Sequence, residues 1–131
     1  MALTIAYSSQ AGVAYNITFK EFDGREIART YQSTAAFSRS LTGTQILSGP
    51  PTRAKYVWAV SAYLTKEKAL IVDELYRAWD LDRSAGLAAA VGVLDQNFGP
   101  DVNGSAVIST PPSFAYYSES FISVTLGLIE V

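Results

Sequence analysis

Apolar and polar positions change their period along the chain, and the first such pattern predicts two strands. Residues 13–19 (VAYNITF) carry an apolar side chain at every second position, which is the period of a half-buried strand. In residues 25–31 (REIARTY), Ile27 and Tyr31 lie on the same face of a strand, and Asp23-Gly24 lies between the two runs. Asp-Gly favours the positive-φ backbone of a tight turn. The pattern predicts a β-hairpin.

The segment from Tyr56 to Asp82 changes from a strand period to a helical period. Residues 56–64 are apolar on both faces, which is typical of a strand covered on two sides. Thr65 suits the N-cap of a helix over 66–79, whose apolar positions gather on one half of the surface while Leu70 lies among the polar ones. Three helix positions are predicted to be buried: Val72, Leu75 and Trp79.

Shorter apolar runs complete the predicted elements. Gly86 suits the left-handed residue that ends the helix, and residues 87–94 (LAAAVGVL) predict a buried strand. Asn103-Gly104 predicts a turn before a strand over 106–110, and the last eleven residues, FISVTLGLIEV, predict a final strand. Strands outnumber the helix, so we expect one mainly β (α+β) domain over 1–131. Its architecture would be an antiparallel β-barrel or sandwich with one flanking helix.

A long segment without a sustained period separates the early strands from the helix. Residues 32–53 are rich in Ser, Thr, Gly and Pro, and they include the apolar residues Phe37, Leu41 and Ile46. Loops of this length in a domain are usually functional or disordered. Two interpretations remain open here: an insertion or short edge strand near Thr44–Leu47, and a loop that orders by docking onto a neighbouring molecule.

Composition excludes several kinds of chemistry. The 131 residues include no His and no Cys, so Ser–His–Asp and Cys–His catalysis and Cys-bearing zinc sites are ruled out. A net charge of −2 without clustered basic residues argues against stable binding to nucleic acid. A catalytic carboxylate pair is conceivable at Asp80 and Asp82 after the helix or at Asp73 and Glu74 on it, but Asp73, Glu74 and Asp80 fit the solvated face of an amphipathic helix better. We expect no enzyme, no cofactor and no metal site.

The N-terminus and the hydropathy pattern predict a protein that works in solution. MALTIAYSSQ lacks the basic and apolar regions of a signal peptide. No apolar run approaches the roughly 20 residues that a membrane helix needs. We therefore expect neither a membrane partner nor a small-molecule substrate.

The segment PPSFAYYSES (111–120) concentrates aromatic side chains beside serines. Pro111-Pro112 argues against a central strand because proline donates no ladder hydrogen bond. Two interpretations of Phe114, Tyr116 and Tyr117 remain open: an edge segment whose aromatics cover the core, and a contact surface for protein or sugar.

The order of elements, together with particular residues, resembles ring-forming tail proteins of tailed bacteriophages of the tail-tube, distal-tail and baseplate-hub type. The residues that carry the resemblance are the strand KYVWAVSAYL, the helix KEKALIVDELYRAWD, the segment VLDQNFGP and the C-terminal strand. The resemblance covers about residues 55–131. Many distal-tail proteins have a further C-terminal domain, whereas this sequence stops at its last strand, which favours a tube, tail-completion or small baseplate component.

The resemblance implies a structural virion protein that is made in the host cytoplasm and located in the phage tail. It would assemble with itself into a ring, expected to be hexameric, and contact other tail proteins, while DNA only passes through the lumen. The residues expected at subunit interfaces are Phe37, Leu41, Ile46, Phe114, Tyr116 and Tyr117. The alternative is a monomeric β module that binds carbohydrate or peptide through Phe114, Tyr116 and Tyr117.

Overall fold

Nine strands and one helix make up the part of the chain that the computed structural model describes, residues 2–20, 24–32, 36–39, 41–48, 54–87, 89–96, 99–116 and 118–131. The elements are β1 (Ala2–Ser8), β2 (Ala14–Lys20), β3 (Gly24–Gln32), β4 (Ala36–Arg39), β5 (Gln45–Ser48), β6 (Lys55–Thr65), α1 (Lys66–Ser84), β7 (Val91–Asp95), β8 (Val102–Tyr116) and β9 (Phe121–Glu130). Seven strands form one antiparallel sheet in the order β2-β1-β7-β8-β9-β6-β3, whereas β4 and β5 form a separate two-stranded sheet. The large sheet is curled into a half-barrel, which confirms the predicted mainly β class with one flanking helix.

The inner face of the curled sheet and one face of α1 form the core. On β6 every second side chain is buried, from Trp58 to Leu64, but Ala59 on the opposite face is exposed. The prediction that both faces of this strand are covered is therefore wrong for the chain by itself. On α1 the predicted burial of Val72, Leu75 and Trp79 is confirmed. Residues of β1, β2, β8 and β9 enclose a small space against this helix face.

A buried carboxylate on β7 shows how strongly the sheet curls. One oxygen of Asp95 (Oδ2) accepts hydrogen bonds from Trp58 Nε1 on β6 and from Arg29 Nη1 on β3, each at 3.1 Å. β8 and β9 separate β7 from β6 in the sheet, and at about 4.8 Å per strand a flat sheet would place β7 and β6 roughly 14 Å apart. The contact therefore requires curvature, and the ion pair holds β3 and β6 over the strand on which Asp95 lies.

The predicted hairpin between residues 13–19 and 25–31 is wrong in its pairing, although both strands exist. β2 pairs with β1, β3 pairs with β6, and the two lie at opposite edges of the sheet. The hairpin partner of β2 is the N-terminal strand, which was not predicted. Its turn is closed by hydrogen bonds between Ser9 and Gly12 and between Ser9 and Val13, with Gly12 at φ +86°. Asp23 lies outside the described residues.

β8 runs through two features that were predicted to interrupt it. Asn103-Gly104 lies within the strand, opposite Leu94 and Val93, so the predicted turn is wrong. Pro111-Pro112 is also inside β8, at the second of two register shifts relative to β9, between Thr110 and Ser113. Beyond Ala106 the strand pairs with β9 alone, so proline is tolerated on the free side and at the irregularities.

The helix begins where predicted and continues further. The Thr65 hydroxyl accepts a hydrogen bond from the Lys68 backbone N–H, which confirms the N-cap. The helix continues to Ser84, five residues beyond the predicted end, and Gly86 follows at φ +81°, as expected for a left-handed residue. The apolar run after it forms a strand only from Val91 onward.

Residues 32–53 contain a short hairpin. β5 (Gln45–Ser48) matches the short edge strand expected near Thr44–Leu47, because it pairs with β4 alone in a two-stranded sheet. This small hairpin connects β3 to β6 and belongs to a sheet of its own.

Candidate interface surfaces

An open groove of about 460 Å³ lies between the start of α1 and the adjoining ends of β8 and β9. The N-cap at Thr65 places the first turns of the helix directly after β6, and the pairing of Leu64 with Ile122 and of Tyr116 with Ile122 brings the strand ends beside them. The side chains that characterise the groove are Lys66, Leu70, Asp73, Phe114, Tyr116 and Ile122.

The groove exposes an unusual amount of apolar surface. Tyr116 is 86% exposed, Leu70 is 56% exposed and Phe114 is 39% exposed. Phe114 and Tyr116 therefore do not cover the core, contrary to one of the two interpretations. That interpretation also expected an edge segment, and this part agrees with the structure, because β8 pairs with β9 alone beyond Ala106. Tyr117 lies outside the described residues. Leu70 is an apolar residue among the polar positions of the helix. This exception to the helical pattern could have predicted an exposed apolar surface here, but no such surface was predicted.

The second surface is the hairpin of β4 and β5. Leu41 lies in its turn and is fully exposed, with Gly43 at φ +86° closing the turn. Phe37 lies opposite Leu47 on the hairpin and Ile46 lies opposite Ser38. The side chains of Phe37 and Ile46 are outside what the structure describes. An isolated two-stranded hairpin is at best marginally stable in water, so it gains from a partner surface.

The chain leaves the sheet for the hairpin at the end opposite the groove. The hairpin leaves the sheet where Gln32 pairs with Lys55 at the start of β6, whereas the groove adjoins the last residues of that strand. β6 has 11 residues, and a rise of about 3.3 Å per residue separates its ends by roughly 33 Å. The structure therefore does not bring the six residues predicted at interfaces into one patch. It divides the described ones between two surfaces.

Charge is distributed unevenly between these two parts of the chain. Residues 27–66, which include the hairpin, contain five basic residues and no carboxylate. Residues 67–131, which include most of the groove, contain nine carboxylates and three basic residues. The near-neutral total of −2 conceals this asymmetry. This asymmetry follows the sequence and not the two ends of the sheet, because Glu130 lies beside Tyr56 at the end where the hairpin is attached, while the groove contains both Lys66 and Asp73.

α1, which forms one wall of the groove with its first turns, is held to the sheet by a buried contact near its C-terminal end. Asp82 is buried and accepts hydrogen bonds from the Tyr7 hydroxyl on β1 and from the Gln10 backbone N–H at 3.1 Å. Burial, followed by the bond to Asp82, raises the pKa of Tyr7 to about 12. Asp80 instead forms an exposed ion pair with Arg83. The two carboxylates therefore have separate structural partners and do not face one common space.

In the described part of the chain, no group of three or more His, Cys, Asp and Glu side chains is arranged to hold a metal ion. None of the helical segments in these ranges has the length and apolarity to cross a bilayer.

The groove is formed by segments that lie far apart in the sequence. Its helix side comes from residues 66–73 and its sheet side from residues 114–122. Comparison with known proteins adds no functional assignment: no protein-family model matches the chain, and no curated protein matches it.

Proposed function

We propose that this protein is a structural subunit of a bacteriophage tail or baseplate that assembles with itself into a ring, of about six copies by the resemblance described above. DNA would pass through the lumen without being held. The observation that carries the proposal is the presence of two different exposed surfaces, the groove and the hairpin, which adjoin opposite ends of β6 in the sequence and the sheet register. A cyclic interface of more than two copies needs two such different surfaces on each subunit.

The fold supports the same proposal. A curled antiparallel sheet with one helix agrees with the architecture that the resemblance implies.

Substitution of Tyr116 tests the proposal against a matched control. Tyr116→Ala removes an exposed aromatic from the groove, and loss of an anchoring aromatic typically costs more than ~1 kcal/mol at each interface. Leu81→Ala removes an apolar side chain that is 69% exposed and lies outside the groove. We expect negative-stain micrographs to show rings for the wild type and for Leu81→Ala but not for Tyr116→Ala, with unchanged circular dichroism. Rings of Tyr116→Ala as abundant as those of the wild type would contradict the role of the groove.

A second candidate function is favoured by the same exposed aromatics. A groove with Tyr116 and Phe114 on one side and Asp73 on the other has the mixture of aromatic and polar groups that binds sugars or peptides. Glycan and peptide arrays probed with the wild type and with Tyr116→Ala test this function. Binding that the substitution abolishes, by a wild type that stays monomeric at high concentration, would replace the ring proposal.

A further inference from the structure

We infer that the groove binds an extended acidic segment of another polypeptide, which adds as a further strand to the free edge of β8 and pairs its carboxylate with Lys66. This inference rests on the second candidate function proposed above, and it names the class of peptide that the groove would take. Three features carry it: a strand edge, a helix wall of matching length and one unpaired charge.

The sheet side of the groove includes a strand edge without a neighbour. Residues 113–116 pair with β9 on one side, and no strand of the described part of the chain pairs with them on the other. Alternate residues of a strand direct both their N–H and their C=O to the same side. The free side therefore offers donors and acceptors that a peptide strand satisfies and a glycan does not. Pro111-Pro112 limits this edge at its start, because proline donates no hydrogen bond.

The helix side of the groove fits a short extended segment. Its lining residues have the spacing of one helix face and run from Lys66 to Asp73, a distance of about 10 Å at about 1.5 Å per residue. An extended segment of this length has about three residues at about 3.3 Å each, close to the length of the free edge over 113–116. The exposed side chains of Leu70 and Tyr116 suit a strand with apolar side chains at alternate positions.

The groove presents one positive charge that has no partner. Asp73 is paired with Arg77, whose Nε lies 3.1 Å from Asp73 Oδ2. Lys66, by contrast, is exposed and forms no ion pair with any residue that the structure describes. A carboxylate on the bound segment would complement this charge. We therefore expect Asp or Glu at the end of the segment that meets Lys66.

Synthetic pentapeptides test the inference by surface plasmon resonance on sparsely immobilised full-length protein, which keeps copies of the chain apart. The probes are acetylated and amidated, with valine at odd positions and threonine at even ones. Glu or Gln replaces the first or the last valine, so each pair differs by one charge and both strand directions are covered. We expect one Glu peptide to bind about fivefold more tightly than its Gln counterpart, as for an exposed ion pair. Equal affinities within both pairs, or no binding by any probe, would overturn the inference.

Charge reversal at Lys66 assigns this preference to the groove. Lys66 is the exposed first residue of α1, where a carboxylate is favourable, so Lys66→Glu should leave the circular dichroism unchanged. We expect this variant to lose the preference for Glu and to prefer a probe with Lys at the same position. Lys68→Glu makes the same charge change outside the groove lining and should keep the preference for Glu. An unchanged preference in Lys66→Glu would overturn the inference.

Methylation of single backbone amides of the probe tests the addition of a strand. Because alternate residues direct their amides to the same side, methylation at positions of one parity should abolish binding, whereas methylation at the other parity should be tolerated. Tolerance at every position would overturn strand addition.

The glycan and peptide arrays described above separate this inference from the function on which it rests. If a glycan or a neutral peptide binds and Tyr116→Ala abolishes the binding, while Glu probes have no advantage over Gln probes, the second candidate function stands and this inference is wrong. If wild-type rings form and neither arrays nor probes show binding, both are wrong and the ring proposal stands alone.

Discussion

Removing the Asp95 carboxylate should strongly destabilise the fold. Asp95 is 2% exposed, and its Oδ2 accepts hydrogen bonds from Trp58 Nε1 and Arg29 Nη1 at 3.1 Å. Breaking a buried ion pair by removing one partner typically costs about 3–5 kcal/mol. About 1–3 kcal/mol of this comes from leaving a buried donor, here the Trp58 indole N–H, without its acceptor. We expect Asp95→Ala to lower the free energy of unfolding by about 3–5 kcal/mol.

Asp95→Asn is the matched control for this prediction. An amide retains one oxygen that can accept the indole N–H but loses the charge that attracts Arg29, so we expect a loss of roughly 1–2 kcal/mol. Urea unfolding followed by tryptophan fluorescence measures both variants, since Trp58 contacts the carboxylate itself. Domains have only about 5–15 kcal/mol of net stability, so the milder variant keeps the test readable if Asp95→Ala unfolds. A loss below about 0.5 kcal/mol for Asp95→Ala, as at an ordinary surface site, would refute the structural role.

Four further predictions concern the helix, the sheet and the hairpin. Leu75→Ala should cost about 2–5 kcal/mol in urea unfolding, because Leu75 is buried under the helix; a loss below about 0.5 kcal/mol would mean that this helix face is exposed. Gly127→Ala should destabilise the sheet in thermal unfolding, since a Cβ would lie 2.9 Å from Thr110 Oγ1, and an unchanged melting temperature would contradict this. The pKa of Tyr7 is raised from the ordinary value of 10.0 to about 12, so the contribution of the Tyr7 hydroxyl to stability is complete below pH 10 and is lost as the pH rises toward 12. Tyr7→Phe should therefore reduce the loss of stability at alkaline pH when unfolding is measured as a function of pH. An unaltered profile would exclude Tyr7 as the source of that loss. Hydrogen exchange within residues 32–53 should be fast in dilute protein and slower in the assembly; strong protection in the monomer would count against docking.

Local patterns in the sequence predicted most elements but few of their pairings. The helix and its buried positions follow from a 3.6-residue period together with the N-cap at Thr65. The period and the N-cap can both be recognised within a stretch of about twenty residues. The hairpin prediction failed because Asp23-Gly24 signals a turn but does not say which strands it joins. The alternating strand before residue 9 supplied a nearer partner for β2. In β8, tolerance of Pro111-Pro112 depends on which side of the strand lacks a neighbour, which only the full sheet order reveals.

The candidate surfaces show the same limit. The aromatic segment stood out by composition, but its exposure depends on where the helix lies relative to β8. Asp82 was expected after the helix, where it could have paired with Asp80, and its burial depends on Tyr7, which is distant in the sequence. The groove combines Leu70 with Phe114 and Tyr116 from another part of the chain. The hydrophobic period of the sequence predicts which face of its own helix or strand a residue occupies. Which other element packs against that face depends on contacts between residues that are far apart in the sequence.

Sedimentation velocity of the wild-type protein over a wide range of concentrations tests the central claim, self-assembly into a ring, most directly. The monomer has a mass of 14.1 kDa, so closed rings give a discrete faster species well separated from it. We expect this single larger species to replace the monomer cooperatively as the concentration increases, with no ladder of intermediates, because a closed ring satisfies both surfaces of every copy. A monomer that persists unchanged to the highest concentration, or an open-ended series of ever larger species, would contradict the account.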